Sequence, residues 1–168
     1  MKTLYLVGGT MGVGKSAVCN VLKKELPACV FLDGDWCWDL HPFRVTPDTQ
    51  KMVMDNIHAM LNNFLRCPEI ENIVFCWVMH QQSIWDEVLA GLCLQDVRVL
   101  QISLVCSPEA LTKRLEGDIA KGIRQRDILD RSIPRLKRYD SLNTLRIDTT
   151  ALTPVQVAEQ IRLKGKLL

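Results

Sequence analysis

Short apolar runs alternate along this chain with stretches of helical period. Thr3–Val7, Cys29–Leu32, Ile73–Val78, Val97–Val105 and Leu145–Ile147 have the length and composition of strands. Ile73–Val78 is apolar on consecutive positions, the pattern of a strand covered on both faces. Between these runs the period changes. From Pro47 to Leu65 the apolar positions Met52, Val53, Ile57, Met60, Leu61, Phe64 and Leu65 keep a helical spacing, with Pro47 suited to the first turn. Further helices are predicted over Lys15–Leu26, closed by Pro27, and over Ser83–Leu92. Another opens at Ser107-Pro108-Glu109, where Ser107 is a natural N-cap. Asp127–Leu142 reads as a helix bent or interrupted near Pro134, and Thr153-Pro154 opens a final one. Strands alternating with helices predict an α/β fold: a mainly parallel sheet with helices on both faces. No repeat or linker divides the chain, so one domain over residues 1–168 is expected.

Composition changes this picture little. The chain is 48% hydrophobic and 24% charged, enough for an ordinary core. It has no run of 18 apolar residues, and "MKTLYLVGG" lacks the apolar length and cleavage site of a signal peptide. A cytoplasmic protein without a membrane partner is expected. Seven cysteines (19, 29, 37, 67, 76, 93 and 106) stand singly, with no C-x-x-C pair. They read as small buried hydrophobes in a reducing compartment, not as a disulfide framework or a zinc site.

Charge is more informative. The net charge is only +2, yet Leu111–Arg138 holds nine Lys/Arg against four Asp/Glu. Such a concentration suggests one anionic ligand more than a nucleic-acid surface.

The first strand runs into "GTMGVGKS", comprising Gly9, Thr10, Met11, Gly12, Val13, Gly14, Lys15 and Ser16, then Ala17. This is the complete G-x-x-x-x-G-K-[ST] pattern between a strand and a helix. Glycines let successive N–H groups point inward as an anion-binding nest. Lys15 then reaches the outer phosphates, the Ser16 hydroxyl suits Mg²⁺, and the helix N-terminus faces the same charge. A bare glycine-rich turn would explain the glycines but not their context. Neither N-K-x-D nor D-x-x-G is present, so guanine-reading and switch motifs are missing.

The second predicted strand ends in "LDGDWCWDLHPFR". Asp33 and Asp35, two apart at a strand tip, can project toward one side. A carboxylate there can orient an acceptor hydroxyl and take its proton, and the other can hold Mg²⁺. Asp-Gly is also a common turn former, so the pair gains meaning from the phosphate loop beside it.

Together, Gly9–Ser16 and "LDGD" resemble the P-loop small-molecule kinases, a group including gluconate, shikimate, adenylylsulfate and chloramphenicol kinases. The resemblance implies a P-loop NTPase three-layer sandwich with a parallel five-stranded sheet in the order 2-3-1-4-5. It implies ATP and Mg²⁺ as cofactors, with Asp35 at the acceptor hydroxyl and Asp33 associated with the metal. A basic lid is implied over about 117–127, with Gly117 and Gly122 as flexible points. Arg124 and Arg126 would stabilise the transferring phosphoryl group, and Arg114 is a further candidate. "RIDTTALTP" lies where such kinases cup the adenine edge. Trp36 and Trp38 are candidates for lining the acceptor pocket, and Arg44 for gripping an anionic acceptor; solvated or core positions are the alternatives. One feature departs from the group. The third strand, "IVFCWVMHQQ", ends without an acid, leaving more of the metal to Asp33 and making His80 a candidate contact.

The expected activity is transfer of the γ-phosphate of ATP to a hydroxyl of a small molecule. A nucleoside or nucleotide kinase is the near alternative, and an ATP-binding regulator with slow hydrolysis the distant one.

Overall fold

The computed structural model describes residues 1–167. Its strands are β1 (Lys2–Gly8), β2 (Cys29–Asp33), β3 (Asn72–Trp77), β4 (Val97–Val105) and β5 (Leu145–Asp148). Its helices are α1 (Lys15–Glu25), α2 (Pro47–Arg66), α3 (Gln82–Ala90), α4 (Pro108–Ala120), α5 (Ile128–Ser132) and α6 (Pro154–Leu167). All strands pair in parallel in the order β2-β3-β1-β4-β5. That is the order the resemblance implies.

Alternating strand residues feed two cores, one on each face. Tyr5, Val7, Phe31, Val74, Ile102 and Leu104 pack with apolar residues of α1, α4 and α6. Leu4, Leu6, Leu32, Ile73 and Phe75 pack on the other face with α2 and α3. Because both faces are covered, the strands are apolar on consecutive positions.

Local chemistry sets the helix starts. Thr46 caps α2 through a capping box with Thr49, and Ser107 caps α4 by accepting from the Ala110 amide at 3.1 Å. The Asp127–Leu142 segment is interrupted near Pro134, one of the two forms expected: it divides into α5 and a 3-10 turn over Leu136–Ser141. Pro134 has no N–H to continue the ladder, and the chain resumes with i to i+3 bonds such as Arg138 N–H to Arg135 C=O. The "GDWCW" stretch also forms a 3-10 turn, Gly34–Trp38. All seven cysteines are free; Cys19, Cys37, Cys76 and Cys106 are buried, whereas Cys93 is exposed beyond α3. Among the described residues no helix is long and apolar enough to cross a membrane.

Trp85 of α3 anchors the loop leaving β3. It is fully buried, and its indole N–H donates to the Met79 carbonyl at 2.8 Å. Its ring lies so close to Gly8 that an added Cβ would stand 2.4 Å from it. Trp85→Phe removes that donor and is expected to destabilise the fold by about 1–3 kcal/mol. Thermal melting checks this; at about 2–4 °C per kcal/mol for a chain of this size, an unchanged Tm would contradict it.

Candidate functional site

β1 delivers the glycine loop to the carboxyl edge of the sheet. Gly12 and Gly14 have φ of 83° and 105°, in the region that favours glycine. Gly9 closes against Val13 and the Leu104 carbonyl. Thr10 is fully buried, and its hydroxyl donates to the Ser132 carbonyl at 3.0 Å, tying the loop to α5. Met11 is half-buried, Val13 buried and Ala17 exposed. Unlike α2 and α4, α1 begins at a glycine with no side-chain cap. Its first amides therefore have no side-chain acceptor, and they carry the helix's partial positive charge.

Four of the expected site residues come together at this edge. Lys15 donates from Nζ to the Thr10 carbonyl at 3.1 Å. Burial pushes its pKa down, while Cys76, Asp35 and Asp33 pull it back up. Ser16 Oγ donates to Asp33 Oδ2 at 2.7 Å, and Asp33 Oδ1 accepts the Asp35 amide at 3.1 Å. Asp33 is only 8% exposed, so these bonds hold it in place. The Asp35 side chain opens outward. Loss of water on its inner side and the nearby Asp33 raise its pKa; Lys15, the Trp77 indole and Arg124 act against them. An anion-binding loop with its lysine, a paired hydroxyl and carboxylate, and a second carboxylate with a raised pKa thus share one edge.

The two tryptophans part company. Trp36 leans on Phe31, a residue of the α1-side core, with ring centroids 5.4 Å apart. Trp38 packs toward α2, 6.4 Å from Trp77 and 5.3 Å from Phe43. Arg44 is exposed, and its carbonyl accepts from Thr49 Oγ1. His80 is half-buried with Nδ1 unpartnered among the described residues; burial, then Arg135 and Arg138, push its pKa down and favour the neutral ring.

The basic segment is shorter in its irregular part than expected. α4 continues through Gly117 to Ala120, closed by a bond from the Lys121 amide to the Gly117 carbonyl. Gly117 is therefore helical and not a flexible point; Gly122, with φ of 69°, ends the helix. Irregular chain follows until α5. Arg124 Nε pairs with Asp118 Oδ2 at 3.1 Å, and Arg126 is exposed. Arg114 is fastened elsewhere, donating to the Val13 carbonyl at 3.2 Å and to Thr149 at Oγ1 and the carbonyl, 3.0 and 2.6 Å. It walls a cavity of about 220 Å³ between the glycine loop and the start of α6, lined also by Gly14, Thr149, Leu152 and Pro154.

Sequence reasoning missed Trp77 and Arg135. Trp77 reaches Asp35 because Asp33 pairs in register with Cys76. Arg135 acts on His80 from the break after Pro134, where it caps the 3-10 segment. Neither has a local sequence signal.

The profile of the AAA domain family AAA_18 matches residues 6–133 of the chain. The chain belongs to this family. No curated protein sequence matches this AAA domain protein significantly. Solved structures do resemble it. The tunicamycin resistance protein of Deinococcus radiodurans superposes with a TM-score of 0.67 at 16% identity, over 99% of this chain and 96% of that one. A gluconokinase from Sinorhizobium meliloti 1021 gives 0.68 at 18%, over 98% and 95%. Shikimate kinase from Acinetobacter baumannii, in complex with shikimate, gives 0.62 at 18%, over 100% and 96%. At such identities the likeness is one of fold, and the AAA domain protein has a kinase-like P-loop fold.

Proposed function

We propose that this AAA domain protein is a kinase that uses ATP and Mg²⁺ to phosphorylate a hydroxyl of a small molecule. The observation that carries this reading is the placement of Asp35. Its carboxylate stands at the mouth of the glycine loop, near Lys15 and Arg124, with its raised pKa suited to receiving a proton. A nucleotide-binding regulator needs no such base.

The base of ATP would occupy the cavity between Arg114 and Leu152, with its phosphates on the loop amides and Lys15. Asp35 would hold the acceptor hydroxyl. As that oxygen bonds to the γ-phosphorus, its proton passes to the carboxylate and the bond to the β-phosphate oxygen breaks, releasing ADP. Lys15, with Arg124 or Arg126 from the 121–127 segment acting as a lid, would stabilise charge on the moving phosphoryl group. The Ser16 hydroxyl and the Asp33 carboxylate fit Mg²⁺: they are adjacent hard oxygen donors, of the few that Mg²⁺ takes alongside substrate phosphates. The metal would neutralise phosphate charge. A cytoplasmic location, where ATP is supplied and thiols stay reduced, accords with seven free cysteines.

The test is ADP release from Mg-ATP across sugar acids, shikimate, nucleosides, nucleotides and phenicol or aminoglycoside compounds. Acceptor-dependent release is expected; tight ATP binding with no stimulated release favours the regulator. Ser16→Ala is expected to raise the Mg²⁺ concentration giving half-maximal release about tenfold. An unchanged Mg²⁺ titration would remove Ser16 from the metal site.

A further inference from the structure

Beside Asp35 runs a row of aromatic rings that neither the phosphate loop nor the core requires in full. Register begins it: Asp33 opposite Cys76 sets Trp77 next to Gly34. The approach is so close that a Cβ on Gly34 would stand 2.6 Å from the Trp77 ring. Trp38 follows at 6.4 Å and Phe43 at 5.3 Å, all within the spacing of interacting rings. The row emerges as it leaves Asp35. Trp77 and Trp38 are half-buried against the α2-side core, whereas Phe43 is 61% exposed. Two residues on, Val45 is also exposed. An exposed ring at the far end of a packed aromatic series that starts at the candidate acceptor base has a face left for a ligand.

From this we infer that the acceptor is an alcohol carrying a planar aromatic or heteroaromatic group, which lies along Trp38 and Phe43 with its hydroxyl at Asp35. The inference rests on the kinase reading and names its substrate class. A planar group gains stacking and apolar contact on these ring faces that a polyhydroxylated sugar acid does not, while Arg44, exposed next to Phe43 in the chain, is a polar partner open to either. Trp36, exposed and tilted against Phe31 of the opposite core, lies outside this row. Phe43 is a specificity residue in this scheme, not a catalytic one.

The experiment reads binding without phosphotransfer. The protein is saturated with a non-hydrolysable ATP analogue and Mg²⁺, which keeps nucleosides out of the ATP cavity, and intrinsic tryptophan fluorescence is followed. Thymidine and chloramphenicol serve as aryl-bearing alcohols, gluconate and shikimate as non-aromatic ones. Saturable quenching by at least one aryl probe is expected, with affinity falling about tenfold in Phe43→Ala and retained in Phe43→Tyr. An exposed position should tolerate both changes; matching circular dichroism spectra check that they fold. Which aryl probe binds separates a nucleoside from a phenyl-type acceptor. Binding by neither aryl probe overturns the inference, as does aryl binding indifferent to Phe43→Ala or saturable binding of only gluconate or shikimate. The kinase reading is judged separately, by ADP release and the Asp35 variant.

Discussion

Replacing Asp35 by Asn is expected to lower acceptor-dependent turnover about 10²–10⁴-fold, the usual contribution of a positioned general base. The affinity for ATP should stay near its original value. The amide keeps the size of the carboxylate and can still hold a hydroxyl, but it cannot take the proton as the new bond forms. The loop amides and Lys15, which would hold the phosphates, are untouched. The pH profile gives a second readout. Burial and Asp33 raise the Asp35 pKa, against the pull of Lys15, Trp77 and Arg124. A base works only when deprotonated, so activity should fall as pH drops through that raised pKa. The acid limb of kcat/KM should therefore be displaced upward from that of a free aspartate and vanish in Asp35→Asn. A regulator would show neither effect. Loss of ATP binding in the variant would instead make Asp35 part of the nucleotide site and remove its role as acceptor base.

What the chain made legible was local. The glycine loop could be read because its geometry is dictated over eight consecutive residues, Gly9–Ser16, and its flanking strand and helix announce themselves by period. Ser107 and Pro108 likewise declare a helix start. The strand order was beyond periodicity and came with the family resemblance. The tryptophans mark a clear limit. Residues two apart share a face in a strand, but Trp36 and Trp38 lie in a 3-10 turn, where two residues span about 240° and the side chains diverge. Asp33 and Asp35 span the same junction, yet stay close because the Asp33 carboxylate accepts the Asp35 amide. Trp77 and Arg135 belong to the site through register and through a proline-broken segment. Such placements depend on partners far along the chain.

Lys15→Met is expected to separate stability from function. Burial pushes the Lys15 pKa below its ordinary value, so the folded protein disfavours the ammonium even after Asp35 and Asp33 attract it. At neutral pH, below the pKa of a free lysine, the unfolded chain carries that charge without penalty. A depressed lysine pKa thus makes folding less favourable at neutral pH, and the deficit shrinks as pH rises through the folded value. Methionine has similar bulk and no charge to desolvate. The opposing loss is one hydrogen bond, from Nζ to the Thr10 carbonyl at 3.1 Å, which favours the ammonium and offsets part of that penalty. The nucleotide-free variant should therefore melt at or above the temperature of the unaltered protein. With ATP and Mg²⁺ the order should reverse. Ligand at a hundred times its Kd stabilises by about 2.7 kcal/mol, several degrees in Tm for a chain of this size. The variant should show little of that rise, and its turnover should drop at least about 10²–10³-fold, the loss of one strong charge-stabilising donor. Differential scanning calorimetry with and without nucleotide measures both halves. A lower Tm in the free variant would mean that Lys15 braces the empty loop. A full ATP-dependent rise in Lys15→Met would mean that the lysine does not grip the phosphates. The expected pattern describes a loop whose lysine is held at a cost to the fold because its partner is the polyphosphate.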